Sequence, residues 1–205
     1  MLRRTGTQRL EARKAQRERH AAETNPEMVL TAAARFLELR SRSVHEMRRH
    51  LTDAAFPAEL VERAIDRLLE LRMLDDRAFA TAWVESRDRA RPRGRSALQR
   101  ELALKGIDRE TIGAVLSDRD GAAVEESEAA GSDGDATFAD RPVRSADEVA
   151  ARRLLEKSRT ALQRVEDPRV RRQRAYALLA RKGFGPEVCR EVSGRFATPD
   201  AGLDD

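Results

Sequence analysis

The 205-residue sequence has one cysteine, three histidines and only 4% aromatic residues, and each scarcity excludes a class of protein. A lone Cys189 rules out an internal disulfide framework and any cysteine-clustered metal site. Hydrophobic residues reach 40%, but many are alanine, so any core is thin. A single aromatic-rich globule does not fit; small helical units sharing narrow apolar seams do. No apolar run approaches about 18 residues, so no membrane-spanning helix is expected. The opening Met1-Leu2-Arg3-Arg4-Thr5-Gly6 leads into more charge, not an apolar stretch, so no secretory signal is expected and the chain reads as cytoplasmic. No phosphate-cradling loop, dinucleotide fingerprint or zinc-ligand spacing occurs. His45 and His50 are five apart, not the four that would align a helical metal pair, and read as solvated helix residues. Asp75 and Asp76 diverge on a helix, and one of them is a natural N-cap. The expectation is a protein with no catalytic residue, no metal and no cofactor.

What the sequence has in abundance is charge, 37% of residues, and the net +4 conceals strong segregation. Residues 1–26 carry seven basic and three acidic residues. Residues 117–150 carry three basic and ten acidic ones, and the tail from 197 has three aspartates. The remainder, 27–116 and 151–196, is therefore strongly basic. Arginine supplies 36 of the 40 cations, which favours forked contacts to carboxylates or phosphates. A basic body with acidic appendages points to an anionic partner.

Residues 1–26 form a basic leader, disordered or a frayed helix, with nothing to fix a buried face. From residue 27 apolar residues recur at helical spacing. Met28, Val29, Ala32, Phe36, Leu37 and Leu39 mark one helix. Ser43-Val44-His45-Glu46 is a capping box opening a second. Pro57 suits the first turn of a third, which buries Leu60, Val61, Ala64, Ile65, Leu68 and Leu69. A second triplet over 75–116 begins at Asp75 or Asp76 with Phe79, Ala80, Trp83 and Val84 inside. It breaks at Arg91-Pro92-Arg93-Gly94-Arg95, resumes at the box Ser96-Ala97-Leu98-Gln99 and turns at Gly106. Residues 117–146 read as an acidic disordered linker. A third triplet over 147–196 contains the N-cap Asp167-Pro168, a turn at Gly183 and a helix opening at Gly185-Pro186, with Cys189 in its core. Residues 197–205 form an acidic tail.

The triplets repeat. Glu101-Leu102-Ala103-Leu104-Lys105-Gly106-Ile107 aligns with Leu178-Leu179-Ala180-Arg181-Lys182-Gly183-Phe184. Met47, Leu51, Phe56, Glu59 and Val61 align with Leu98, Leu102, Ile107, Glu110 and Ile112. The fold class is all-α: three tandem three-helix repeats, 27–74, 75–116 and 147–196, in an elongated, curved array with the acidic insert between the second and third. Arg87, Arg89, Arg91, Arg93, Arg95 and Arg100 run through a helix end, a loop and the next helix. Arg169, Arg171, Arg172 and Arg174 crowd the first turns of another, where the helix dipole disfavours cations. The residues assigned to partner contact are Arg91, Arg93, Arg95, Arg100, Lys105, Arg172 and Lys182. On the sequence alone, direct, sequence-nonspecific nucleic-acid binding by the same basic face is the alternative.

Met73-Leu74-Asp75-Asp76-Arg77-Ala78-Phe79-Ala80-Thr81-Ala82-Trp83-Val84, with Arg40–Met47 upstream and Gly94 and Glu101–Ile107 downstream, resembles the RecX regulatory protein family. The resemblance is strong over 28–116 and weaker over 147–196. It implies three three-helix repeats and a monomeric, non-enzymatic protein that binds RecA recombinase filaments on single-stranded DNA. It further implies inhibition of recombinase ATPase, strand exchange and co-protease activity. The acidic insert and the long basic leader depart from the family pattern.

Overall fold

A computed structural model of the chain describes residues 6–130 and 145–197. Every regular element among them is helical. In order these are α1 (Gly6–Ala21), α2 (Pro26–Leu37), α3 (Val44–Asp53), α4 (Ala58–Glu70), α5 (Asp76–Ala90), α6 (Arg95–Leu104), α7 (Arg109–Ala130), α8 (Ala146–Lys157), α9 (Arg159–Gln163), α10 (Pro168–Arg181) and α11 (Pro186–Ala197). The chain divides into two compact units. One runs to Phe79 and includes Lys105–Ile107; the other comprises Ala80–Leu104 and the chain from Asp108.

In the first unit α2, α3 and α4 close around Val29, Ala33, Met47, Leu51, Leu60, Val61, Ala64, Ile65 and Leu68, joined by Phe56 and Leu74. Leu69, expected inside, is 41% exposed. Ser43 caps α3, accepting from the Glu46 amide at 3.1 Å. The reciprocal half of the capping box does not form, because the Glu46 carboxylate turns to Arg40 and Lys105. Asn25 caps α2. Asp75 caps α5, accepting from the Ala78 amide at 2.9 Å.

The leader is helical, one of its two expected states, but it is not without a fixed contact. It forms α1, and its end has a fixed contact: the His20 ring stacks on Phe56 at 4.1 Å and 10°. Of the other histidines, His45 is exposed and His50 is half-buried. His50 stacks on Phe36 at 3.8 Å and 5°. Burial and the neighbouring Arg42 both push its pKa down, favouring the neutral ring.

In the second unit Ala150, Ala151, Leu155, Leu162, Ala175, Leu179, Phe184, Cys189 and Val192 make one core across α8–α11. Ala80, Val84, Leu98, Leu102, Ile112, Val115 and Leu116 are also buried. Ser145 and Asp167 cap α8 and α10. The predicted box at Ser96 does not form: α6 opens at Arg95, two residues earlier than a Ser96 cap allows, the Gly94 carbonyl accepts from the Ala97 and Leu98 amides, and the Ser96 hydroxyl is used elsewhere. Helix α7 continues to Ala130, so the segment from 117 opens as helix and not as linker. Arg119 explains why the chain stays ordered there. It is 8% exposed, bonds Asp88 with both arms at 2.8 and 2.9 Å, and reaches Asp147 at 2.7 Å. The rest of the expected linker, 131–144, the tail from 198 and residues 1–5 lie outside the described residues.

Candidate partner-binding surface

All three repeats share one turn. Ala55, Gly106 and Gly183 sit at matching positions after the middle helix and have φ of 69°, 79° and 84°. Each is followed by a buried apolar residue: Phe56, Ile107 and Phe184. The carbonyl of the residue before each, Ala54, Lys105 or Lys182, accepts a hydrogen bond from an upstream group in every case. Ser43 Oγ donates to Lys105 at 2.6 Å. The Gly94 amide donates to Lys182 at 3.0 Å. His20 Nδ1 donates to Ala54 at 2.9 Å. Backbone acceptors withdrawn from water require partners, and the same carbonyl finds one in every repeat.

A second bond accompanies each junction between repeats. The carboxylate of Asp76 accepts from the Val44 amide at 2.8 Å in the first unit. In the second, Asp147 accepts from the Arg95 amide with both oxygens, at 3.0 and 2.9 Å. In both cases an acid in the first turn of one repeat's opening helix covers the free amide end of the preceding repeat's middle helix. Gly94 and Gly106 let the backbones approach. A Cβ on Gly94 would stand 2.2 Å from the Gly183 carbonyl oxygen, and one on Gly106 2.2 Å from His45 Cβ.

These junctions absorb several of the cations assigned to partner contact. Lys105 Nζ bonds Glu46 Oε1 at 2.6 Å. Burial pushes the Glu46 carboxyl up, but hydrogen bonds from Arg40 and Lys105 outweigh it and hold it at about 2. Arg95 reaches Asp120 at 2.8 Å and the Leu116 carbonyl at 3.3 Å. Arg93 stands 3.4 Å from Glu101. Glu101 also takes Arg87 at 2.6 Å and the Trp83 indole at 3.0 Å, while the Arg87 guanidinium lies 4.2 Å over the Trp83 ring. Trp83, read from the sequence as core, is half-buried and carries this arrangement. Burial raises the Glu101 pKa, and Arg87 and Trp83 more than reverse it.

The other four are differently placed. Arg91, Arg100 and Arg172 are exposed, and Lys182 is half-buried. Their side chains have no hydrogen-bond or ion-pair partner among the described residues. The loop that carries Arg91 is fixed by its neighbours. Lys157 Nζ caps the end of α5, bonding the Arg89 carbonyl at 2.8 Å and the Ala90 carbonyl at 3.2 Å. Pro92 and Gly94 are buried. The surface thus pairs a hydrogen-bonded, partly buried loop with arginines that have no counter-charge among the described residues. Among the described residues no cluster of ligands could hold a metal ion. Nor is any described helix long and apolar enough to cross a membrane.

Comparison with known proteins decides the family. The RecX first, second and third three-helix domains match residues 30–68, 75–116 and 146–192. The regulatory protein RecX of Mycobacterium ulcerans is 32% identical over 158 residues, 77% of this chain and 78% of that one. The chain belongs to the RecX family of regulatory proteins. The RecX protein of Mycolicibacterium smegmatis is 38% identical over 100 residues, covering 49% of this chain and about half, 53%, of its own length. Two solved RecX structures share the fold. One, from Lactobacillus salivarius, has a TM-score of 0.63 at 17% identity, covering 83% of this chain and 96% of its own. The other has a TM-score of 0.59 at 18% identity, covering 94% and 79%. The RecX domain matches begin at residue 30, so α1 lies outside them.

Sequence reasoning found the turns and most caps, but it read Asp76 only as one of two caps for its own helix and missed Asp147, Glu101, Arg119 and His20. The signal for the two aspartates was their shared place in the first turn of a repeat's opening helix. Nothing in spacing marked the others.

Proposed function

We propose that this chain binds the filament of the RecA recombinase and modulates it, mainly by inhibiting its ATPase, strand-exchange and co-protease activities, with no chemistry of its own. The observation that carries this reading is the match of all three RecX domains in order along the chain. The surface supports it. Arg91, Arg100, Arg172 and Lys182 offer cations held on ordered helices and turns, and forked guanidinium groups suit carboxylates and phosphates alike. Each contact is individually weak; several made together gain through effective concentration. A protein seated along a filament obstructs nucleotide turnover by occupying space and needs no nucleophile. Co-sedimentation with RecA filaments on single-stranded DNA tests this. The chain is expected in the pellet only when filament is present, and Arg91→Ala with Arg100→Ala and Arg172→Ala is expected to release it. Recovery in the supernatant at every filament concentration would refute the reading.

A further inference from the structure

We infer that α1 is a preset cationic arm for the phosphodiester backbone of single-stranded nucleic acid, independent of recombinase binding. The inference starts from how α1 is held. Its one large apolar side chain, Leu10, is 67% exposed, so no apolar stripe seats it. It is anchored at its end, where His20 stacks on Phe56 and bonds the Ala54 carbonyl. That carbonyl is the one that receives Ser43 and Gly94 at the equivalent turns of the later repeats. The anchor therefore reuses the joint that connects one repeat to the next, and α1 stands where a preceding repeat would stand.

This placement sets a second feature. Arg13, Gln16, Arg17 and His20 line a groove of about 360 Å³ with Asp53 and Ala54. Arg13 and Arg17 are exposed, lie one helical turn apart, and have no partner among the described residues. Like charges at that spacing repel. The groove's one carboxylate, Asp53, faces Arg49 at 3.6 Å and leaves both arginines unneutralised. The first turn of α1 has no acid, and its last turn adds Arg19. A helix with four arginines and one lysine against Glu11 and Glu18, fixed in place while Arg13 and Arg17 have no partner among the described residues, is complementary to a chain of phosphates. The Gln16 amide adds a neutral donor and acceptor for sugar or base edges. In a single strand the bases are unpaired, so those edges are open to such an amide.

Fluorescence anisotropy of a labelled oligothymidylate with the full chain, without recombinase, across a salt series tests the inference. Arg13→Glu with Arg17→Glu is expected to weaken binding at least tenfold. It should also flatten the slope of log affinity against log salt by about 1.4, the value for two lost single-strand phosphate contacts. Both side chains are exposed, so circular dichroism melting of this variant should match the parent. His20→Ala frees the arm but keeps its charges, so binding should weaken severalfold with the slope retained. An unchanged affinity and slope in the double variant would overturn the inference. So would displacement of the oligonucleotide by polyglutamate as readily as by unlabelled DNA, which would assign the arm to an acidic protein. Full affinity in His20→Ala would overturn the docked geometry.

Discussion

The amide of Gly94 donates to the carbonyl of Lys182, 88 positions later, at 3.0 Å. The contact places two backbones against each other with no side chain between them. A methyl on Gly94 would lie 2.2 Å from the Gly183 oxygen and 2.3 Å from the Phe184 nitrogen, both backbone atoms that cannot swing away. Gly94→Ala is therefore expected to cost about 3 kcal/mol in urea unfolding. Gly113→Ala and Gly121→Ala provide the contrast. Both sit in α7 with open space around them and should gain about 0.5–1 kcal/mol.

The turn of the first repeat holds an alanine where the other two hold glycine. Ala55 has φ of 69°, a left-handed conformation that strains a residue with a Cβ. Ala55→Gly should raise the stability of the first repeat by about 0.5–1 kcal/mol, in spite of the extra freedom glycine gives the unfolded chain. Thermal melting against the parent checks the logic: an unchanged or lower melting temperature in Ala55→Gly would contradict it.

Glu46 makes the first unit sensitive to acid. Its carboxyl ionises at about 2 in the fold against 4.5 when free. A depressed carboxyl pKa contributes stability that is complete above the free value and disappears as pH falls through the folded one. The unfolding free energy should fall between about pH 4.5 and 2, and Glu46→Gln should flatten that decline. At neutral pH the same substitution should destabilise, since it weakens the bonds to Arg40 and Lys105.

Two sets of arginines should separate stability from function. Arg119→Met leaves Asp88 and Asp147 without their buried counter-charge and is expected to cost about 3 kcal/mol. Arg91→Ala, Arg100→Ala and Arg172→Ala remove side chains that hold nothing in the fold, and each should change stability by less than about 0.5 kcal/mol. The order should invert in a recombinase inhibition assay, where the combined Arg91, Arg100 and Arg172 variant loses at least tenfold in potency at an unchanged melting temperature.

The helices, their caps at Ser43 and Asp167 and the left-handed turns at Gly106 and Gly183 were legible in the sequence, because each depends on neighbours within one or two helical turns. The connections between repeats were not. Ser43 meets Lys105, and Ser96 meets Gly183, across 62 and 87 positions, and helical spacing says nothing about such partners. Asp75 and Asp76 were indistinguishable as caps until Asp76 was seen to bond the Val44 amide. The start of the acidic segment was misread for the same reason. Its glycines and serines suggested linker, while Arg119 and Asp120, bonded to Asp88, Asp147 and Arg95, carry the helix onward. At the partner-binding surface, the arginine-rich loop was visible in the sequence. Which of its cations are already neutralised depends on Glu101 and Asp120, whose roles only the fold discloses.

The most direct measurement is the ATPase rate of RecA on single-stranded DNA with this chain added well below one copy per recombinase subunit. A protein that acts by lying along the filament should depress the rate at that ratio, and the triple variant at Arg91, Arg100 and Arg172 should not. A rate indifferent to the wild-type chain at every ratio up to equimolar would contradict the account.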